Sequence, residues 1–393
     1  MEFEDNYYQN PNLTTVGFDN NQDVERLKSR INEFFSKYTN VLQNSLGREM
    51  DYTMYTGSTG IAYLFFKLSF VLKDRSAELL ESSLGIVEHS LKELNSKRVS
   101  FLCGDAGPLS LAVVLYHLDG KISDRDKVLE ILLNLANAAL KPSVPDEFLY
   151  GRCGYFYALK FVQRHTEEAL IPKSLLKKVL TYIVSSGREL AKKMNASVPL
   201  MYEWHNKVYY GAAHGLAGIY YTLIKNKDLL DSVVTDDELN ECVQYLYDRR
   251  FTSDNLPSSH NNQSDRLVSW CHGAAGATFM FISAAEALNS AVFKSAATAC
   301  GNVVWLRGLL KKGVGICHGA AGNGYTHLAL FRYTKKDVHL KRAYHFAEWC
   351  LDYQNHKGNP DRPFSLFEGL AGTVFFLAEV QNASDSKFPA FEF

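Results

Sequence analysis

The sequence predicts an all-α protein, an α/α toroid in which seven inner helices form a barrel inside seven outer helices. Three observations predict this fold class. A Gly-x-x-Gly motif recurs along the 393 residues, amphipathic segments lie between its copies, and an apolar segment follows each copy. The alternation of polar and apolar residues that marks β-strands is absent. A motif that recurs at intervals of this length indicates a fold built from repeats.

The glycine motif is the clearest repeat signal. Its seven copies begin at Gly57, Gly104, Gly151, Gly215, Gly273, Gly319 and Gly369. Successive copies start between 46 and 64 residues apart. One Gly-x-x-Gly carries little information, but seven copies that each precede an apolar run define seven repeats.

Each repeat is predicted to contain an outer helix, a glycine turn and an inner helix. The segments from Ser76 to Leu94 and from Asp126 to Leu140 place apolar residues on one face at helical spacing. This pattern is typical of a half-exposed helix. The segments after the glycines are apolar nearly all round, as from Gly218 to Ile224. They therefore predict helices that are buried on several sides.

The two ends of the chain predict a closed ring. An open stack of helix pairs ends in polar capping repeats, but the last inner helix, from Leu370 to Val380, is strongly apolar. Repeat one is its simplest partner, which gives a single domain over residues 1–393. Two separate helical domains are the alternative, and the even spread of the motif disfavours them. Residues 1–21 are predicted to be a flexible N-terminal segment, and residues 253–265 a loop.

Composition and charge limit the cellular compartments and the classes of binding partner that we expect. The net charge is −1, and no long basic run suggests nucleic acid as a partner. The N-terminal residues lack the pattern of a secretory signal, and seven cysteines are an odd number for a disulfide framework. We therefore expect free thiols and a cytoplasmic location, with peripheral association with the plasma membrane left open.

The repeats differ in the two residues that precede the first glycine. Repeats one to three have Tyr55-Thr56, Leu102-Cys103 and Leu149-Tyr150, which suggest no chemistry. Repeats four to seven have Ala213-His214, Cys271-His272, Cys317-His318 and Phe367-Glu368. In a toroid these positions share one rim, at the mouth of the inner barrel. Because repeats five and six are neighbours, we expect the Cys271 and Cys317 side chains to approach each other.

Two cysteines and a histidine at one site have the chemistry of zinc ligands. Zinc binds thiolate sulfur and imidazole nitrogen, and three protein ligands leave a fourth position for water or substrate. The alternative is a pair of buried cysteines with hydrogen-bonded histidines. The residues alone leave open whether His272 or His318 is the third ligand.

The motifs resemble those of the lanthionine synthetase C-like family. They are SWCHG from Ser269, GICHGAAG from Gly315, AHGLAG from Ala213, YTMYTG from Tyr52, LYGR from Leu149, PFSLFEG from Pro363 and the terminal FPAFEF. The resemblance spans essentially the whole chain and is greater to the animal branch than to the bacterial cyclases. It implies the α/α toroid and one zinc ion on Cys271, Cys317 and His318.

The resemblance also implies an activity. The bacterial enzymes add a cysteine thiol to a dehydroalanine or dehydrobutyrine in a peptide. The animal branch is associated with glutathione, which it adds to such residues in proteins after phosphate has been eliminated from phosphoserine or phosphothreonine. A non-catalytic adaptor that binds glutathione or zinc for signalling proteins is the alternative. A toroidal glycosidase would need paired carboxylates at the mouth, and only Glu368 occupies such a position.

Several residues are expected to serve this reaction. His214 is the expected general acid, since it is the rim histidine nearest in the ring to the cysteine-bearing repeats. Tyr150 and Arg152 are expected oxyanion donors. Lys312 matches a lysine of the animal branch that contacts glutathione. Glu147 stands where the bacterial cyclases have aspartate, so its acid or base role is left open.

A second segment is expected to contact glutathione. The resemblance places it at Gly358, Asn359, Pro360 and Asp361, whose backbone is expected to bond the peptide groups of the tripeptide. Animal members have an arginine at the position of Gly358. Either Lys357 or Arg362 is therefore expected to supply the missing positive charge.

Overall fold

The structure, a computed structural model, describes residues 6–13, 17–47 and 50–393. Within these ranges the chain forms α-helices, short 3₁₀ turns and three isolated β-bridges, without a strand. In chain order the α-helices are α1 (Asn21–Gln43), α2 (Ser58–Ser69), α3 (Ser76–Ser90), α4 (Ala106–Leu118), α5 (Ile122–Asn134), α6 (Ala136–Ala139), α7 (Arg152–Thr166), α8 (Lys173–Lys193), α9 (Leu216–Lys225), α10 (Asp236–Tyr247), α11 (Ala274–Ala287), α12 (Ala291–Arg307), α13 (Ala320–Thr334), α14 (Asp337–Leu351), α15 (Tyr353–His356) and α16 (Leu370–Val380).

Seven of these helices form the inner ring. They are α2, α4, α7, α9, α11, α13 and α16, and each packs against the next. The last of them, α16, packs against α2 and closes the ring. The all-α toroid predicted from the glycine repeats is therefore confirmed, including the closure of the last repeat on the first. We propose that this closed ring is a single domain.

The remaining helices surround the ring. The predicted outer helix from Ser76 is α3, which continues as a 3₁₀ turn over Leu91–Glu93. The predicted helix from Asp126 to Leu140 is present as two pieces, α5 and the single turn α6. In the part of the chain that the structure describes, every helix is too short or too polar to cross a membrane.

The glycine motif has a steric explanation. The loop before each inner helix folds back onto the first turn of that helix, so that two stretches of backbone touch. A Cβ atom on Gly322 would lie 1.8 Å from the carbonyl oxygen of Ile316, and one on Gly372 would lie 2.0 Å from that of Leu366. Both residues are second glycines of their motifs, and only glycine permits this approach.

The same fold-back satisfies the free amides at the start of the inner helices. The first amides of an α-helix have no partner within the helix. Here the Leu216 amide donates to the Tyr209 carbonyl at 2.9 Å, and the Leu370 amide donates to the Pro363 carbonyl at 2.8 Å. Each loop is thereby fixed against its helix, and the rim residues lie in these loops.

Part of the N-terminal segment packs against the outer ring. The Tyr8 amide donates to the Leu309 carbonyl at 2.7 Å, and the Asn10 side chain donates to the Trp305 carbonyl at 2.8 Å. The sequence predicts a flexible segment here, whereas residues 6–10 make defined contacts. Residues 1–5 and 14–16 of that segment lie outside the described residues.

A group of buried histidines lies between α13 and α14. The His327 and His339 rings are 6.1 Å apart, and both side chains are buried. Both His327 nitrogens and the His339 Nδ1 lack a hydrogen-bond partner within the described residues. Burial, with the positive charge of Arg342 beside it, lowers the pKa of His339 to about 4. These imidazoles are therefore neutral in the folded protein at neutral pH.

We expect His339 to make the fold sensitive to mild acid. An unfolded histidine has a pKa of about 6.5. Between pH 6.5 and 4 the histidine at position 339 is therefore protonated in the unfolded chain but stays neutral in the folded protein. The free energy of unfolding should fall over this range. In His339→Gln, the decrease in the free energy of unfolding between pH 7 and pH 5 should be smaller than in the wild-type protein by about 2 kcal/mol, measured by urea unfolding at each pH. The exposed His89, changed to Gln, is the control, and an unchanged pH dependence for His339→Gln would contradict the expectation.

Candidate metal centre

Backbone hydrogen bonds link the rim positions of successive repeats. The Cys271 amide donates to the Cys317 carbonyl at 3.3 Å, and the Cys317 amide donates to the Phe367 carbonyl at 2.8 Å. The series continues from Phe367 to Tyr55 at 3.2 Å and from Tyr55 to Leu102 at 2.9 Å. All five residues stand two positions before the first glycine of their repeats. The register that the sequence predicts is therefore a hydrogen-bonded series in the fold.

This register brings Cys271, Cys317 and His318 together. One ligand atom from each lies within 4.8 Å of the other two, so the three residues form a group that could hold a metal ion. Cys317 is buried, whereas Cys271 and His318 are partly exposed at the mouth. His272, the other histidine that the sequence leaves open, lies outside this group.

The donor set fits a metal ion of zinc type. Zinc bound to sulfur at ~2.3 Å and to nitrogen at ~2.0 Å holds its ligand atoms about 3.5 to 4 Å apart. The limit of 4.8 Å in this group is compatible with that spacing. Two sulfurs and one imidazole are soft to intermediate ligands, which favour zinc over magnesium or calcium.

The two thiols differ in their protonation. A hydrogen bond from Cys317 lowers the pKa of Cys271 well below its usual range, and His318 also contributes to this lowering. Burial raises the pKa of Cys317 well above its usual range. A bound cation would favour the thiolate form of both residues, since metal coordination deprotonates a thiol.

Two residues that sequence reasoning missed contact these sulfurs. The Tyr55 hydroxyl hydrogen-bonds to Cys317, and its ring stacks on Phe367 with centroids 4.8 Å apart. The Ser269 hydroxyl lies 3.3 Å from the Cys271 sulfur. Tyr55 occupies the rim position of repeat one, which the sequence suggested to be without chemistry. Its equivalence to Cys271 and Cys317 is the signal that could have identified it.

His214 and Glu147 form a second polar cluster on the rim. The His214 Nδ1 lies 2.7 Å from the Glu147 carboxylate, which is 2% exposed. The same carboxylate accepts the Leu149 and Tyr150 amides at 2.9 and 2.7 Å. Because three donors converge on it, the carboxylate is held in place. It fixes the orientation of the imidazole and leaves Nε2 for other contacts.

Aromatic rings stack beside this imidazole. The Trp204 ring lies on the His214 ring with centroids 4.0 Å apart and planes inclined by 4°. Tyr150 is nearly parallel to both, at 5.5 Å from Trp204 and 5.9 Å from His214. Trp204 is held by a tight turn in which the Trp204 and Lys207 amides donate to each other's carbonyls. Sequence reasoning missed Trp204 because it lies outside the glycine motifs.

Arg152 does not share this surface. Its guanidinium is 1% exposed, donates to the Asp146 carboxylate at 2.6 Å and donates to the Lys141 carbonyl at 2.7 Å. These contacts favour a structural role over the predicted role as an oxyanion donor. The position at the start of α7 explains the difference, since the side chain points toward the outer layer near Tyr182.

The two loops expected to contact glutathione lie against each other. A Cβ atom on Gly358 would meet the Lys312 carbonyl oxygen at 2.2 Å, and one on Gly313 would meet the Lys357 carbonyl oxygen at 2.5 Å. Both glycines also have positive φ, 63° and 139°. Position 358, at which the resemblance implies an arginine in animal members, thus requires glycine in this chain.

The exposed residues of these loops differ in their partners. The Lys357 ammonium donates to the Gln354 side chain at 3.1 Å. The side chains of Lys312 and Arg362 are exposed and form no ion pair within the described residues. Of the two expected replacements for the missing arginine, Arg362 is therefore the freer. Asn359, Pro360 and Asp361 lie between them on the same exposed loop.

The C-terminal segment packs beneath the rim. Phe388 stacks on Trp270 with centroids 5.1 Å apart, and Phe391 lies 4.9 Å from Phe148. Trp270 directly precedes Cys271, and Phe148 directly follows Glu147. The terminal FPAFEF motif is thus an aromatic floor that supports both the cysteines and the histidine–glutamate pair.

The sequence as a whole defines the class of this protein. The family model described as lanthionine synthetase C-like protein matches residues 48–393. The chain therefore belongs to the lanthionine synthetase C-like family, as its motifs predict.

Among individual proteins, the chain is similar to one from zebrafish, Danio rerio, named glutathione S-transferase LANCL1. The two are 42% identical over 376 residues, which cover 93% of this chain and 91% of the relative. The LanC-like protein GCL1 of Arabidopsis thaliana is 33% identical over 371 residues, which cover 89% of this chain and 83% of that protein.

A solved structure supports the fold independently. Nisin cyclase superposes with a TM-score of 0.69, covering 93% of this chain and 99% of the cyclase. The sequence identity is 15%, so this similarity concerns the toroid alone.

We expect the cluster to bind one transition-metal ion per chain. Cys271→Ala and Cys317→Ala should each reduce the metal content to near zero, because two remaining ligands hold a metal weakly. The helical circular dichroism should persist, since the apolar contacts of the ring do not depend on the site. Metal analysis by mass spectrometry of the purified variants checks this. Cys350→Ala, a buried thiol on α14, is the control, and full metal content in either rim variant would remove the assignment.

Proposed function

We propose that this protein is a zinc-dependent glutathione transferase that adds glutathione to dehydroalanine or dehydrobutyrine residues in proteins. The observation that supports the proposal is that the Cys271, Cys317 and His318 cluster and the His214–Glu147 pair lie on one rim. The zebrafish relative's name supports glutathione as the thiol. The family supports addition to a dehydro residue as the reaction.

Zinc is the metal that the donor set supports best. Cys271, Cys317 and His318 would hold it, and three protein ligands leave one position open, as in catalytic zinc sites. When bound there, zinc supplies a positive charge that favours the thiolate form of an incoming thiol at neutral pH. Tyr55 and Ser269 would orient the two ligand sulfurs by hydrogen bonds.

The adjacent loops would hold the rest of glutathione. The tripeptide has two carboxylates. Lys312 and Arg362 offer exposed cations that pair with no carboxylate in the described part of the chain. Arginine can bind a carboxylate through two parallel hydrogen bonds, whereas lysine acts as a point charge. The backbone from Gly358 to Asp361 is exposed and supplies groups for the peptide bonds of glutathione.

His214 would complete the addition by proton transfer. The thiolate sulfur forms a bond to the β-carbon, and the electrons of the carbon–carbon double bond move toward the carbonyl. The α-carbon then takes a proton from the imidazole Nε2. Glu147 accepts the Nδ1 hydrogen bond and stabilises the imidazolium before it gives up that proton. Glu147 is in this respect a positioning residue for His214.

Tyr150 is placed to contribute to the same step. Its ring lies 5.9 Å from the His214 ring, and burial raises the pKa of its phenol, so the hydroxyl keeps its proton. It can donate a hydrogen bond to the substrate carbonyl as negative charge develops there. Arg152 donates to Asp146, and its role as a second oxyanion donor stays a prediction.

The alternative function is an adaptor that binds glutathione or zinc for signalling proteins without catalysis. A buried carboxylate that orients an accessible imidazole favours catalysis, because an adaptor has no use for proton transfer. The seven free cysteines and the requirement for reduced glutathione support a reducing compartment, for which we propose the cytoplasm.

We expect two variants to separate thiol binding from proton transfer. Purified protein, glutathione and a dehydrobutyrine peptide should yield an adduct, measured by mass spectrometry with initial rates. His214→Asn should lower kcat by ~10²-fold while glutathione binding and metal content persist, because only the proton donor is lost. Lys312→Ala should instead raise the KM for glutathione several-fold with little change in kcat, because it removes one charge contact.

Lys335→Ala, an exposed lysine at the C-terminal end of α13, is the control for Lys312→Ala. An unchanged rate for His214→Asn would assign proton transfer to another group, such as His272 or Tyr150. If the wild-type protein binds glutathione by calorimetry but forms no adduct, the transferase is contradicted and the adaptor stands.

A further inference from the structure

A cleft that opens to solvent lies beside the histidine–glutamate pair. Its volume is about 960 Å³, near the upper end of pockets that hold a compact ligand. The lining comes from residues 97–99, 142–146, 186–193 and 202–206, with Tyr150 at its inner side. These segments precede the glycine motifs of repeats two, three and four, or belong to α8.

The cleft and the proposed active site share a wall. Tyr150 and Trp204 line the cleft, and their rings stack with the imidazole of His214. A molecule that occupies the cleft is therefore separated from His214, the proposed proton donor, only by the rings of Tyr150 and Trp204.

The glutathione loops lie elsewhere on the rim. Lys312 and the loop from Gly358 to Asp361 belong to repeats six and seven, and none of these residues lines the cleft. The rim thus offers two separate binding regions, one beside the metal ligands and one beside His214. Addition of a thiol to a second molecule needs both.

The charged side chains of the cleft differ from wall to wall. Lys97 and Arg98 come from the loop before repeat two, and Arg98 lies over the Tyr150 ring at 4.6 Å. The α8 wall carries both signs, with Glu189 and Lys193, and Glu203 precedes Trp204. All five side chains are exposed and form no ion pair within the described residues. The wall of Lys97 and Arg98 therefore carries positive charge only, which suits a ligand with a negative side chain on that side.

We propose that this cleft binds the acceptor polypeptide, as an extended segment with an acidic residue near Lys97 and Arg98. The proposal rests on the proposed transferase function and adds the acceptor's binding site and charge preference. An extended chain places successive side chains on opposite sides, so a residue next to the dehydro residue can reach the wall of Lys97 and Arg98. In this orientation the dehydro residue of the acceptor polypeptide lies next to Tyr150 and His214.

The charge preference can be tested without turnover. The probes are fluorescent peptides with alanine in place of the dehydro residue, flanked on one side by glutamate or by lysine, and binding is measured by fluorescence anisotropy. Arg98→Glu should weaken binding of the glutamate peptide about tenfold and strengthen that of the lysine peptide, because the charge on that wall is reversed. Glutathione affinity and metal content should stay at the wild-type values.

Arg26→Glu makes the same charge change on the outer helix α1 and should alter neither peptide's affinity. Failure of the wild-type protein to bind either peptide at millimolar concentration, or an equal effect of Arg98→Glu on both peptides, would overturn the cleft assignment. These readouts need no adduct, so they remain distinct from failure of the transferase. A dehydrobutyrine peptide flanked by glutamate provides the kinetic test. If Arg98→Glu forms its adduct with the wild-type KM, the cleft assignment alone is rejected.

Discussion

The hydrogen-bonded series of rim backbone groups is the constraint on which the rest of the site depends. It links the equivalent positions of five repeats, from Cys271 through Cys317, Phe367 and Tyr55 to Leu102. Cys271 and Cys317 are 46 residues apart in sequence, yet an amide–carbonyl bond of 3.3 Å joins them directly. The candidate metal centre depends on this bond, because it sets the two cysteines side by side.

The closed ring also explains how the functional groups can be divided along one rim. The two cysteines of the candidate metal centre lie in repeats five and six. The loops proposed to contact glutathione lie in repeats six and seven, and the histidine–glutamate pair lies in repeats three and four. The aromatic floor of the C-terminal segment contacts neighbours of both reactive groups, through Trp270 and Phe148. A change in the floor would therefore affect both groups at once, without touching either substrate.

Features that recur at equivalent positions of successive repeats can be predicted from the sequence. Contacts between individual side chains outside that register cannot. The inner helices, ring closure and the meeting of Cys271 with Cys317 all follow from equivalent positions in successive repeats. The contact between Glu147 and His214 does not, because the two residues stand at different distances from their glycines and meet only through side chains. The role of Arg152 as an oxyanion donor stays a prediction, but the contact of its side chain with Asp146 is likewise one that the repeat register does not predict. Trp204 lies outside every motif, so only the fold reveals its stack on His214.

The most direct test of this account is X-ray absorption spectroscopy of the zinc-loaded protein, since it reports the atoms around the metal. The rim register predicts two sulfur neighbours at ~2.3 Å and nitrogen or oxygen neighbours at ~2.0 Å, with the imidazole signature of one histidine. The Cys317→Ala protein, if loaded with excess zinc, should retain one sulfur neighbour. A wild-type spectrum with no sulfur, or with one sulfur only, would contradict the claim that the rim brings Cys271 and Cys317 to one metal ion.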